Sequence, residues 1–189
     1  MTTNNKIELM SPAGDFESLQ AALDNGCDSV YFGVEQLNMR ARSTVNFTID
    51  DLKEIANRCE AKSVRSYLTL NTIIYDHDLS VVKTLLTKAK EANITAVIAS
   101  DQAVIAMARS IGMEVHISTQ LNVTNIETIK FYSLFADTMV LSRELSLRQV
   151  KNITDQIEKE QIKGPNGNLV EIEIFGHGAL CMAFSGKCY

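Results

Sequence analysis

The chain has 189 residues, of which 46% are apolar and 22% charged, with a formal charge of −5 from 18 basic and 23 acidic side chains. That length suits one domain with a sizeable core, and that composition excludes a disordered polar chain. The charge balance supplies no global pull toward nucleic acid or anionic membrane, so an RNA partner would need a local basic patch or a region outside these residues.

Residues 1–6 are polar and lack the apolar centre of a secretory signal. No apolar run reaches the ~18–20 residues of a membrane span. A cytoplasmic location is therefore expected, where the four cysteines read as thiols or ligands and not as a disulfide framework.

Short β-branched runs alternate with amphipathic stretches along the chain. The first expected strand, residues 7–10, leads into Ser11-Pro12-Ala13-Gly14 and a helix over 16–25 with Asp15 as its cap. A strand over 29–32 follows, then a loop carrying Arg40 and Arg42, a helix over 49–59 with Asp50 as its cap, and a strand over 66–70. The helix over 78–92 places Leu79, Val82, Leu85, Leu86 and Ala89 on one face, the spacing of a buried stripe. Strands over 96–99, 115–118 and 138–141 then alternate with helices over 101–110, 125–135 and 146–160, with Asp101 and Ser146 as caps. The turn over 163–168, rich in glycine and asparagine, precedes a seventh strand over 170–175.

Repeated strand–helix units require a parallel sheet, since each crossover returns the chain to the same end. The repeat averages roughly 27 residues, close to the ~31 of a (β/α)₈ barrel unit. A doubly wound sheet is the rival, but the first strand is not followed by G-x-G-x-x-G. The expected fold is thus a TIM-like barrel of parallel strands. Residues 1–189 form a single catalytic domain of about seven strands, incomplete at its C-terminus and so expected to be part of a longer protein.

Barrel sites are built at the C-terminal ends of the strands. Those ends carry Ser11, Asn71, Ser100 with Asp101, Ser118-Thr119-Gln120 with Asn122 beyond, Ser142-Arg143-Glu144, and His177. With Arg40 and Arg42 they make a rim of amides, hydroxyls and guanidiniums suited to a small anion, because arginine grips carboxylates through paired hydrogen bonds. Strand ends are also polar simply because they meet solvent, and Arg143 and Glu144 could pair with each other. Of the three histidines, His77 reads as a solvated turn residue and His116 as a packed core residue, while His177 precedes a cysteine motif.

Cys27 and Cys59 read as core thiols. Cys181 and Cys188 are spaced C-x₆-C in a glycine-rich segment, and by spacing alone that is a weak metal signal. The segment Glu173-Ile174-Phe175-Gly176-His177-Gly178-Ala179-Leu180-Cys181-Met182-Ala183-Phe184-Ser185-Gly186-Lys187-Cys188 resembles the signature of peptidase family U32, the collagenase-like proteins. Ser11-Pro12-Ala13-Gly14, Ser29-Val30-Tyr31-Phe32-Gly33, Ser118-Thr119-Gln120 and Leu141-Ser142-Arg143-Glu144-Leu145-Ser146 resemble further family blocks in order.

The resemblance implies a barrel continued by C-terminal sequence, with Cys181 and Cys188 as two of four thiolates of a four-iron four-sulfur (4Fe-4S) cluster. The other two ligands lie outside this chain. It also implies oxygen-independent hydroxylation of RNA (a tRNA or rRNA base) or of a quinone, with prephenate, a small dicarboxylate, as oxygen donor. On that footing Arg143, Glu144, Gln120 and His177 are the expected catalytic residues and Arg40, Arg42, Asn71 and Asn122 the expected substrate-binding ones. Homo- or hetero-oligomers are open. The alternatives are a collagenase-like peptidase, for which H-E-x-x-H and G-x-S-x-G are both lacking, and a non-catalytic subunit of a larger complex.

Overall fold

The computed structural model describes residues 7–34, 47–178 and 183–185. Seven parallel strands follow one another in space in their order along the chain. They are β1 (Met10–Pro12), β2 (Ser29–Phe32), β3 (Arg65–Leu70), β4 (Ala96–Ala99), β5 (Glu114–Ile117), β6 (Thr138–Val140) and β7 (Glu171–Glu173). Six helices make the crossovers: α1 (Phe16–Asp24), α2 (Leu52–Glu60), α3 (Leu79–Glu91), α4 (Gln102–Ser110), α5 (Ile126–Tyr132) and α6 (Leu147–Glu160). This is the curled, TIM-barrel-like sheet that the repeat predicts. Among the described residues β1 and β7 are its two edges.

The strands alternate their faces with period two, and the register keeps like faces together. Val30, Phe32, Leu68, Leu70, Val97 and Ile117 turn outward and join one continuous core with Leu19, Ile55, Leu85, Val104, Ile129 and Ile153 of the helices. Four of the five residues expected in the α3 stripe, Val82, Leu85, Leu86 and Ala89, are buried, while Leu79 at the start of the helix is half-buried. The opposite face lines the inside of the curl. There Tyr67, Ala96 and Ile98 make a small apolar cluster, and the registers Tyr67↔Ala96↔Glu114 and Ile98↔His116↔Thr138 place polar groups beside it.

Two local expectations are corrected. The first strand begins at Met10, three residues later than its apolar run: Ile7 and Leu9 are exposed, while Asp28 and Ser29 donate backbone hydrogen bonds to Leu9 O and set the register there. Asp50 is not the cap of the second helical stretch. That stretch opens with a 3₁₀ turn, Ile49–Asp51, where the Asp51 carboxylate accepts from Thr48 N–H at 2.7 Å and from Thr48 Oγ1 at 2.8 Å. Asp15, Asp101 and Ser146 do cap α1, α4 and α6.

Candidate functional site

The C-terminal ends of β5 and β6 are joined by side chains. Ser118 closes β5 and caps a 3₁₀ turn, Thr119–Leu121, which holds Gln120 half-buried. Asn122 leaves that turn in the left-handed region (φ 58°), a conformation asparagine tolerates better than most residues. Its Oδ1 accepts from Ser142 Oγ at 3.0 Å, while Ser142 N–H donates to Val123 O. Both strand ends thus share one rigid corner.

Onto this corner docks the segment that contains Ser185, which is 1% exposed. Its Oγ accepts from Arg143 N–H at 3.2 Å and lies 3.5 Å from Arg143 Nε and 3.4 Å from Thr119 Oγ1. In return Ser185 N–H donates to Glu144 Oε1 at 2.8 Å. Arg143 Nη2 donates to Ala183 O at 2.8 Å. The Ser185 N–H bond is the main reason the Glu144 carboxyl is held below the ordinary glutamate range. Arg143 and Glu144 therefore do not pair chiefly with each other. Both grip the backbone of the loop between the two motif cysteines.

The structure brings four of the expected residues, Gln120, Asn122, Arg143 and Glu144, to this corner. Asn71 stands half-buried just past β3, two strands away along the sheet. His177 is exposed, four residues beyond the end of β7. Arg40, Arg42, Cys181 and Cys188 lie outside the described residues; in sequence the two cysteines flank Ser185 by four and three positions. Thr119 stands in the expected polar rim without an assigned role, and Ser185 is not among the expected site residues. The signal for Ser185 was a buried-type hydroxyl midway through C-x₆-C, which only its distant partners make meaningful.

Elsewhere, His77 is exposed and stacks on Tyr75, and His116 is buried inside the sheet. Cys27 and Cys59 are buried in the outer core, where burial pushes both thiols up, Cys59 to about 11. Among the described residues no three His, Cys, Asp or Glu side chains group as a metal site. No helix there is long and apolar enough to cross a membrane.

The profile of Peptidase family U32 matches residues 14–189. The chain belongs to this family. A collagenase of Porphyromonas gingivalis (strain ATCC BAA-308 / W83) is 55% identical over 185 residues, which is 98% of this chain and 45% of the collagenase. The tRNA hydroxylation protein P of Helicobacter pylori (strain ATCC 700392 / 26695) is 37% identical over 187 residues, covering 97% of this chain and 42% of that protein. Its Escherichia coli (strain K12) namesake is 34% identical, covering 97% and 39%. This chain thus spans less than half the length of these relatives. A solved U32 peptidase structure superposes with a TM-score of 0.66 at 13% identity, covering 83% of this chain and 68% of its own, which supports the barrel fold alone.

Proposed function

We propose that this U32 chain is the barrel portion of an oxygen-independent hydroxylase acting on an RNA base, tRNA first. The observation that carries the reading is the Ser185 anchor. Its bonds to Arg143, Glu144 and Thr119 fasten the loop between Cys181 and Cys188 to the strand ends where barrel enzymes do their chemistry. Relatives named as tRNA hydroxylation proteins match nearly the whole of this chain.

The donor chemistry suits an iron–sulfur cluster in part. Cys181 and Cys188 offer two thiolates, and a 4Fe-4S cluster takes four. Cys27 and Cys59 are unsuited to be the remaining pair, because they sit in the outer core with raised thiol pKa values. The missing ligands would come from sequence outside these 189 residues. When bound, such a cluster supplies one-electron redox chemistry. The chain's own residues do the rest: Arg143 and Glu144 position the ligand loop, Gln120 and Asn122 line the corner beside it, and Arg40 and Arg42 are the remaining candidates for a dicarboxylate such as prephenate. His177 and Asn71 stay candidates for proton handling and orientation.

The test is nucleoside mass spectrometry of tRNA and rRNA from a strain lacking the gene. A nucleoside one oxygen lighter, restored by the wild-type gene and not by Cys181→Ser, is the expected result. Unchanged nucleosides in both RNAs would end the reading.

The 55% identity to a collagenase favours a second reading, a peptidase. It requires gelatin cleavage by the purified intact protein that survives Cys181→Ser. Of the three histidines, His116 is buried against Glu114, and His77 and His177 are exposed. None of these is held by a nucleophile among the described residues.

A further inference from the structure

Inside the curl runs a row of acid–base groups that the corner at the strand ends does not use. His116 of β5 is 3% exposed. Its Nε2 lies 3.1 Å from Glu114 Oε1, two residues back and hence on the same face. Its ring packs on Tyr67 of β3, with centroids 4.6 Å apart. Its Nδ1 has no hydrogen-bond partner, and neither has the equally buried Oε2 of Glu173. These two atoms face each other at 4.0 Å. Glu173 is the last residue of β7, the strand end from which the chain enters its glycine-rich segment.

Two buried polar atoms without partners are costly, and native interiors hold few. At 4.0 Å they stand just outside hydrogen-bond reach, and a small side-chain shift would let one proton satisfy both. Glu114 decides the tautomer: a carboxylate at Nε2 calls for an N–H there, which leaves Nδ1 as the lone pair of the neutral ring. An ionised Glu173 facing that lone pair would oppose two acceptors, whereas a protonated one offers a donor. The two glutamates are driven apart accordingly. Burial raises Glu173, with His116 opposing in part, and the hydrogen bond from His116 lowers Glu114.

The remaining charged and titratable groups on the packed elements have other partners or lie elsewhere. Tyr67 gives its hydroxyl to Glu8 Oε1 at 2.8 Å, and Arg65 pairs with Glu8. Glu171 starts β7, at the far end of that strand from Glu173. From β4 and β6 the inner face presents Ala96, Ile98, Thr138 and Val140, none of them titratable.

We infer that His116 and Glu173 share one proton across the interior of the sheet, with Glu114 fixing the ring, so that Glu173 is a proton-exchanging group at the strand end beside the candidate site. The inference stands apart from the hydroxylase reading, since any reaction at that end that takes up or releases a proton can draw on it.

The test is an NMR titration of the intact protein, with ¹⁵N-histidine and ¹³C-carboxyl glutamate labels. In the wild type, His116 and Glu173 should report common midpoints, as a coupled pair does, with the proton of the neutral ring on Nε2. Glu173→Gln has no carboxyl proton to exchange with the ring, so the pH-dependent change in the His116 nitrogen shifts that accompanies the Glu173 step should be lost with it. Glu114→Gln should let the ring proton redistribute to Nδ1. Unrelated wild-type midpoints overturn the inference, as does a His116 titration unmoved by Glu173→Gln in a folded variant. If that variant fails to fold, the wild-type titration alone decides.

Discussion

Ser185 concentrates on one hydroxyl and one amide the contacts that hold the motif loop. Ser185→Ala removes the acceptor used by Arg143 N–H and the partner of Thr119 Oγ1. Losing such a buried acceptor costs about 1–3 kcal/mol. Amide exchange at Ser185 and Arg143 should therefore quicken by one to two powers of ten in Ser185→Ala, while exchange in β3 and β4 stays as it was. The same grip carries a pH signature. The Glu144 pKa is lowered by the Ser185 N–H bond, so its contribution is in place above the ordinary glutamate value and fades as pH falls through the lowered one. Protection of the Ser185 amide, its exchange relative to the intrinsic rate at each pH, should hold steady down to about that ordinary value and fall below it, and Glu144→Gln should flatten the response. The sequence marked Arg143 and Glu144 as a polar strand end, but not what they hold. Their partners lie 41 and 42 residues on, and no periodicity encodes a pairing at that separation. The thiols were easier to read, because Cys27 follows a helix end and Cys59 lies in a helical stretch. With both buried and raised, neither should react with a maleimide at pH 7 until the protein unfolds.

At the level of elements, legibility followed hydrophobic period. The strands at residues 29–32 and 96–99 and the stripe of α3 lie where the apolar pattern placed them, because each is buried along most of its length or face, with only Tyr31 and Leu79 partly exposed. The ends of the sheet were harder. The apolar run 170–175 yields only Glu171–Glu173 as strand, since Ile174 and Phe175 are exposed beyond the last ladder bonds to β6. Glycine at 164 answers to packing and not to a turn type. A Cβ there would stand 2.5 Å from Asp137 Oδ1 and 2.8 Å from Asp137 Cα, and Asp137 Oδ1 accepts from Asn166 N–H. The second of these atoms belongs to the main chain of Asp137, so rotating a side chain cannot relieve the clash. Gly164→Ala should cost about 1–3 kcal/mol, the scale of overpacking. Leu85→Ala, cutting a fully buried α3 side chain, should cost about 2–5 kcal/mol. Urea midpoints of the two variants against wild type check both figures.

For the molecule as a whole, the barrel was legible because strand and helix alternate through six units to a seventh strand, whereas the polar interior was not. Glu114, His116 and Glu173 each sit in runs that look like ordinary buried strands, and only the register sets them across from one another. One outer core joins residues from α1 to β7, so the described barrel should melt as a unit and a buried proton should be felt in its global stability. The sign follows from the direction of the shift. Glu173 is raised, so the folded state prefers its protonated form. That contribution is complete below the ordinary glutamate value and is lost as pH rises through the raised one. Glu114 is lowered by its hydrogen bond from His116 and acts oppositely, its contribution fading as pH falls below the ordinary range. Wild-type stability should therefore decline on the alkaline side of the ordinary glutamate value, where the Glu114 contribution is already complete. Glu173→Gln, which cannot ionise, should remove that decline and leave the acid limb in place. Urea unfolding of the intact protein at several pH values reads both limbs. If wild type and Glu173→Gln decline in parallel above that value, Glu173 holds no proton inside the barrel.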